Sequence, residues 1–258
     1  MTGKSDPQVS IIIPAYNEAL RLPNSLRLLR DFLGGSFWAA RSCEVLVVVE
    51  HSTDGTLELA RERTSEQANF HIIDNRVRRG KGHAVRSGMR QARGAFVFFM
   101  DADLSVPLEE IEQFVAHFEA HPDDAVLVGS RQHPQSRIER PQAGLRQTMG
   151  KTFNRILRSM ALLPFRDTQC GFKAFRSEAA REIFQLQTID GFAFDVEVLL
   201  LAQALGYRIR ELPVRWLNSP ESKVNIVRDS LRMLIDAFTV RRRVATIMKF
   251  REFQKKEA

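Results

Sequence analysis

The sequence predicts an α/β protein built around a mostly parallel sheet. Short apolar, β-branched runs alternate with segments of helical periodicity through the first half of the chain. Polar clusters follow directly after those runs, where parallel sheets gather ligands beyond the carboxyl ends of their strands. At 258 residues the chain is long enough to bury one large core.

The elements follow in order. VSIII (9–13) reads as the first strand. Pro23 then opens a helix with Leu22, Leu26, Leu29 and Leu33 on one face, stopped by Gly34-Gly35. VLVVV (45–49) is a buried strand, followed by STDGT and a polar-faced helix over 57–67. FHII (70–73) is the third strand and GHAVRSGMRQA (82–92) a short helix. AFVFFM (95–100) is the fourth strand, and Ser105 suits the N-cap of a helix carrying Leu108, Ile111, Val115 and Phe118. AVLVG (125–129) is the fifth strand.

The second half reads differently. Residues 146–163 are helical, with an apolar stripe at Met149, Phe153, Ile156, Leu157, Met160 and Leu163. Residues 195–205 form a nearly all-apolar helix ended by Gly206, and IRELPVRW (209–216) is another strand. From Lys223 on, one long helix carries Ile226, Leu231, Leu234, Ile235, Phe238 and Ile247 among many arginines. There is no internal repeat and no low-complexity tract.

With 44% hydrophobic and 27% charged residues, the composition is that of an ordinary globular protein. The first residues, MTGKSDPQ, are polar, and neither a signal peptide nor a membrane span is expected. Cys43 and Cys170 make no disulfide framework and no zinc site, which suits a reducing compartment. His117 and His121 read as helix-surface residues, and His133 has no ligand spacing. The net charge of +7 is unevenly placed. Residues 131–166 hold eight Arg/Lys and one Glu, and residues 223–258 ten Arg/Lys and four acids, so the remainder is net negative. Anionic membrane, nucleic acid and phosphate-bearing substrates are the partner classes this implies.

The stretch FFMDADLSVP (98–107) ends an oily strand in two aspartates one residue apart. Two neighbouring carboxylates repel, and a hard divalent cation, Mg²⁺ or Mn²⁺, neutralises them through oxygen. The bland reading is a solvated turn before the next helix. PAYNE, VEHS, the loop around RRGKG and DAD all follow strands and converge on one edge, which favours function.

The set IIIPAYNE (11–18), STDGT (52–56), RGKGHAVRSGM (79–89), MDADLS (100–105), GSR (129–131), DTQCGFKAF (167–175), FDVEVL (194–199) and SKV (222–224) resembles glycosyltransferase family 2. Within it, the match is to the dolichyl-phosphate β-glucosyltransferases and their prokaryotic polyprenyl-phosphate relatives. The resemblance implies a GT-A fold, a nucleotide-diphosphate sugar donor, a divalent metal and an inverting reaction. It implies that Asp101 and Asp103, flanking Ala102, hold the metal. Ser105 stands where polyprenol-phosphate mannose synthases have a glutamine, and joins through its hydroxyl or only caps the helix. Pro14, Ala15, Tyr16 and Glu18 line the nucleotide pocket, Tyr16 reading otherwise as a packed aromatic.

Where relatives have two aspartates after the second strand, this chain has Val49 and Glu50; Glu50 keeps an acceptor for the base. Arg79, Gly80 and Lys81 belong to the donor side. Arg131 and Lys223 take phosphate, and the loop 218–223 closes over the substrates. Asp167 and Asp195 are the candidate catalytic acids, Asp167 preferred, while Asp195 also reads as the charge complement of a helix start.

The implied reaction moves a hexose, glucose from UDP-glucose, onto a dolichyl or undecaprenyl phosphate. Mannosyl or N-acetylhexosaminyl transfer, another donor or a soluble acceptor are the alternatives. A non-catalytic sugar-nucleotide binder is weakened by the intact acid pair. A nucleic-acid binder would interleave aromatics with its basic clusters, which these do not, so no nucleic acid is expected. The division implied is a catalytic domain over 1–222 and a basic amphipathic helix over 223–258. Helices 146–163 and 223–250 combine apolar stripes with arginine, which predicts a peripheral protein on an anionic cytoplasmic membrane face; packing on their own domain is the plain alternative.

Overall fold

A computed structural model describes residues 6–140, 155, 163–217, 236 and 239–247. The first half follows the predicted alternation: β1 (Val9–Ala15), α1 (Leu22–Leu33), β2 (Cys43–Glu50), α2 (Thr56–Thr64), β3 (Phe70–Asn75), α3 (Lys81–Met89), β4 (Phe96–Met100), α4 (Glu109–Ala120) and β5 (Asp124–Ser130). After β6 (Arg137–Arg140) come β7 (Phe172–Arg176), α5 (Ser177–Leu186), α6 (Phe194–Ala204), β8 (Arg208–Pro213) and β9 (Arg215–Leu217). A further helical stretch covers 239–247.

Seven strands form one sheet in the order β3-β2-β1-β4-β7-β5-β8. All neighbours run parallel except β7, which is antiparallel to both β4 and β5. The period-two pleat sends alternate residues to two apolar cores. Ile12, Val48, Val97 and Phe99 face one core, with Val85 of α3, Phe184 of α5 and Phe194 of α6. Ile11, Ile13, Val47 and Phe98 face the other, with Leu26 of α1, Ala60 of α2 and Phe114 of α4. Both faces being covered explains why the strands read as continuous hydrophobic runs rather than alternating ones.

Three sequence expectations change here. IRELPVRW is two strands: β8 extends the main sheet, whereas β9 pairs with β6 in a separate two-stranded sheet after the break at Val214. Ser105 does not cap α4, whose cap position is Leu108. Its carbonyl instead accepts the Leu217 N–H at 2.7 Å, tying the turn after β4 to β9. His117 is not a surface residue; its Nε2 lies 2.8 Å from Asp124 Oδ2 in a half-buried pair. Of the expected helix at 146–163 only Arg155, helical and exposed, and Leu163, buried in the core beside α6, are described; the segment from 218 to 235 lies outside the described residues. Within 239–247, Val240 and Val244 are buried in the core beside α6, so this part of the apolar stripe is used inward.

α3 packs close to the sheet because Gly88 has no side chain. A Cβ there would lie 2.6 Å from Ile12 Cγ2 and 3.0 Å from Val48 Cγ2. Gly88→Ala gains helix propensity but overpacks two strands at once, and overpacking of this kind costs about 1–3 kcal/mol. Urea unfolding of Gly88→Ala should show a midpoint lowered accordingly, with an unchanged slope.

Candidate functional site

The carboxyl ends of β1, β2, β3, β4 and β5 and the start of antiparallel β7 share one edge of the sheet. Pro14 is tolerated inside β1 because pairing with β4 ends at Ile12, so its missing N–H leaves no gap in that ladder. The loops after β1 and β2 are stitched together. The N–H groups of Asn17, Glu18 and Ala19 donate to Ser52 Oγ, Thr56 Oγ1 and Asp54 Oδ2, and Thr53 N–H donates to Asn17 Oδ1. Ala15 is buried at the end of β1, and the Glu18 carboxylate is forked by Arg21 at 2.6 and 2.7 Å. The Arg78 guanidinium lies 4.1 Å from the centre of the Tyr16 ring. The loop carrying Tyr16 and Glu18 leaves the same edge of the sheet as the turn after β4.

Glu50 does something other than the sequence suggests. Its carboxylate is buried and its oxygens accept the Arg79 N–H at 2.5 Å, the Gly80 N–H at 2.9 Å and the Asn75 Nδ2 at 3.0 Å, with His83 Nδ1 at 2.7 Å. A buried carboxylate needs such donors. Instead of standing open to a base, Glu50 pins the loop carrying Arg79, Gly80 and Lys81. On its far side this loop packs on 189–191: a Cβ on Gly80 would meet the Asp190 carbonyl, and one on Gly82 would overlap Ile189 and Phe194. Gly80 also takes φ +133°, which only glycine adopts readily. The 189–191 loop is held in turn by Glu197, which accepts the N–H groups of Thr188 and Ile189 and pairs with Arg243 at 3.2 Å.

The acid pair sits in the turn after β4. Leu104 adopts φ +49°, its N–H donating to the Asp101 carbonyl at 3.1 Å, and Ser25 Oγ donates to the Ala102 carbonyl at 2.6 Å. Asp103 Oδ1 accepts the Ser105 N–H at 3.0 Å, so Ser105 supports the carboxylate. Burial, and next the Asp101 charge, push the Asp103 carboxyl above its ordinary range; Ser105 and Arg21 offset only part. The Asp101 side chain is 39% exposed. Its Oδ1 lies 2.6 Å from Lys81 Nζ, and a Cβ at Gly171 would overlap its carboxylate.

The two candidate acids are both paired with cations, one half-buried and one buried. Asp167, fully buried, takes the Arg131 backbone N–H at 3.0 Å and its guanidinium fork at 2.7 and 2.9 Å. Burial would raise its pKa, but Arg131 overrides this and holds it below the usual carboxylate range. Asp167 anchors Arg131, which is correspondingly engaged by protein. Asp195, also buried, lies 2.5 Å from Lys173 Nζ, which donates as well to the Cys170 carbonyl at 2.7 Å. Asp195 is thus the partner of a buried lysine, not a free helix-start charge. Cys170 stays a thiol, since burial and next Asp167 push its pKa up to about 12.

Sequence reasoning missed Lys173, Gly171 and His83 as parts of this site. The signal for Lys173 was its position inside GFKAF, where a strand buried on both faces leaves a lysine no route to water. Lys223 lies outside the described residues.

Asp101 and Asp103 fit a hard divalent cation: both ligands are oxygen, and the pair is short of compensating charge. Among the described residues no group of three His, Cys, Asp or Glu could hold a metal ion. No described helix is long and apolar enough to cross a membrane.

A covered parallel sheet with an acid pair at its carboxyl edge and a Gly-Lys loop beside it defines a GT-A type glycosyltransferase. The chain belongs to glycosyltransferase family 2, whose model matches residues 10–184. It is 34% identical over 244 residues to the dolichyl-phosphate beta-glucosyltransferase of Drosophila melanogaster, covering 90% of this chain and 74% of that one. The enzyme of the same name from Dictyostelium discoideum is 32% identical over 240 residues, covering 90% and 73%. Among solved structures, glucosyl-3-phosphoglycerate synthase from Mycobacterium tuberculosis, in complex with Mn²⁺, UDP-glucose and phosphoglyceric acid, superposes with a TM-score of 0.67. It is 14% identical, with 91% of this chain and 79% of that one covered, a likeness of fold.

Two outcomes follow from the site's charges. Removing one partner of a buried pair strands the other, at a cost of about 3–5 kcal/mol. Lys173→Met should lose that much stability in chemical denaturation, and adding Asp195→Asn should return part of it. Asp103 has a folded pKa above its unfolded value, so ionising it costs stability above the unfolded pKa, and none is lost at lower pH. In EDTA, Asp103→Asn should therefore melt higher than the parent at pH 7.5 and show no such gain at pH 3.5.

Proposed function

We propose that this chain is an inverting hexosyltransferase that moves glucose from UDP-glucose onto a polyprenyl phosphate, with Mg²⁺ or Mn²⁺ at Asp101 and Asp103. The acid pair, short of positive charge and opening beside Lys81, carries the reading. The two relatives above, similar over nine-tenths of this chain, are named for glucosyl transfer and for dolichyl phosphate, which supports the sugar and the acceptor.

An oxygen of the acceptor phosphate attacks the anomeric carbon as the bond to the UDP oxygen breaks. UDP leaves with the electron pair, and configuration inverts. A bound divalent ion supplies Lewis-acid stabilisation of the leaving diphosphate. Tyr16, with Arg78 against it, borders the nucleotide end, and the Gly80-Lys81 loop brings a backbone and an ammonium to the phosphates. Arg131, oriented by Asp167, lies at the far side of the acid pair and faces the acceptor phosphate.

A protein base is not required. A phosphate monoester has its second pKa near about 6 and is already anionic at neutral pH. That agrees with Asp167 and Asp195 both being buried and paired. For the membrane-held acceptor we retain peripheral docking on an anionic surface. Arg241 and Arg242 are exposed on the helical stretch whose valines pack inward.

Incubation with UDP-glucose or GDP-mannose, Mn²⁺ and a short polyprenyl phosphate, followed by mass analysis, should give the glucosyl lipid phosphate from the first donor. Asp103→Asn should cut turnover by about 10²–10⁴-fold, several kcal/mol of lost charge stabilisation. Product from GDP-mannose alone would reassign the donor, and full activity of the Asp101→Asn/Asp103→Asn variant in EDTA would remove the metal.

A further inference from the structure

The floor of the site is a ladder of alternating charge. Lys173 pairs with Asp195 at 2.5 Å, and Lys81 pairs with Asp101 at 2.6 Å, with Asp103 one residue beyond. Lys81 feels the charges of Asp101, Asp195 and Asp103 together. Two cations and three carboxylates leave the ladder one negative charge. A divalent ion alone would turn this to one positive charge. The same ion with a donor diphosphate of about two negative charges restores the starting balance.

Both sides of the Asp101 carboxylate are already engaged. Lys81 holds Oδ1, and the Gly171 backbone presses on the carboxylate closely enough to exclude a Cβ. An ion taken by Asp101 must draw that carboxylate from one of these neighbours. The Gly171 backbone belongs to the loop fixed by Lys173 through the Cys170 carbonyl, so it is the stiff side. Lys81 is the movable side. The backbone on either side of it is clamped, Gly80 by Glu50 and Gly80 and Gly82 by the 189–191 loop, but its ammonium ends a flexible stem and the side chain is about one-fifth exposed.

We propose that Lys81 is an internal cation that competes with the divalent metal for Asp101, so that metal and donor diphosphate enter the site together. When the diphosphate arrives, the Lys81 ammonium transfers from Asp101 to a phosphate oxygen, and Asp101 turns to the metal. The enzyme thereby avoids binding metal tightly on its own and couples metal affinity to the nucleotide. This rests on the metal reading of Asp101 and Asp103.

The test is Mn²⁺ titration of the whole protein, following the free-ion electron paramagnetic resonance signal with and without UDP. The wild type should bind Mn²⁺ weakly alone and at least about tenfold more tightly with UDP, an ordinary size for coupling between two ligands. Lys81→Met should bind Mn²⁺ alone about tenfold more tightly than wild type and lose most of the UDP enhancement, whereas Lys81→Arg should keep the wild-type pattern. Lys81→Gln replaces the Met variant if circular dichroism shows the latter misfolded. If Asp101→Asn/Asp103→Asn still binds Mn²⁺ like wild type, the metal reading itself fails. If that variant loses Mn²⁺ but Lys81→Met and Lys81→Gln titrate like wild type, the competition is overturned and the metal site stands.

Discussion

The site depends on one buried ion pair, Lys173 with Asp195. A lysine in the interior of a sheet has no water to reach, so its ammonium must find oxygen within the protein. It finds two acceptors from different elements: the Asp195 carboxylate at the start of α6 and the Cys170 carbonyl before β7. That joins three things which must agree. The loop 167–171 is fixed, and with it Asp167 under Arg131 and Gly171 against Asp101. The start of α6 is fixed, which places Phe194 against Phe99 and behind Gly82. The donor loop is thereby given its rear wall. Polar satisfaction rather than apolar packing sets the register between the fold and its chemistry.

The other acids at this edge are treated in the same way, with one difference that matters. Glu18 has Arg21, Asp167 has Arg131, and Glu50 has backbone N–H groups and His83. These carboxylates are consumed structurally and held in place. Among the described acids of this edge, Asp101 and Asp103 are the loosely compensated ones: a flexible lysine on one, and on the other a hydrogen-bonded turn, with burial and the Asp101 charge holding its carboxyl above the ordinary range. That is where the proposed divalent ion would complete the neutralisation.

Much of this was legible in the sequence. The first five strands and four helices came from periodicity, because a parallel sheet covered on both faces writes its strands as unbroken apolar runs. The convergence of PAYNE, DAD and RRGKG on one edge came from their positions after strands. What periodicity could not show was β7, whose run GFKAF is interrupted by a lysine that looks solvated until its partner, 22 residues later, is known. The role of Glu50 was hidden for a similar reason: its partners at 79, 80 and 83 come from a loop about 30 residues away. Charged residues chosen to satisfy one another across the fold leave no local pattern. The split of 209–216 into two sheets was likewise invisible, since both halves are equally strand-like and only their different partners part them.

The antiparallel insertion of β7 also orders the assembly of the molecule in time. β3, β2, β1 and β4 are neighbours encoded within the first 100 residues, and they can pair as soon as those residues exist. β5 follows β4 closely in the chain yet never touches it in the sheet; β7, some 45 residues further on, lies between them. Until residues 172–176 arrive, β4 and β5 are each left with an unpaired edge. β8, the other neighbour of β5, is encoded later still at 208–213, so the closure of the sheet around β7 is non-local, the kind of pairing that is slow and exposed to aggregation. The same insertion carries Lys173 inward. The pair it makes with Asp195 needs β7 in the sheet and the start of α6 against it, so an intermediate that lacks β7 cannot hold a finished site.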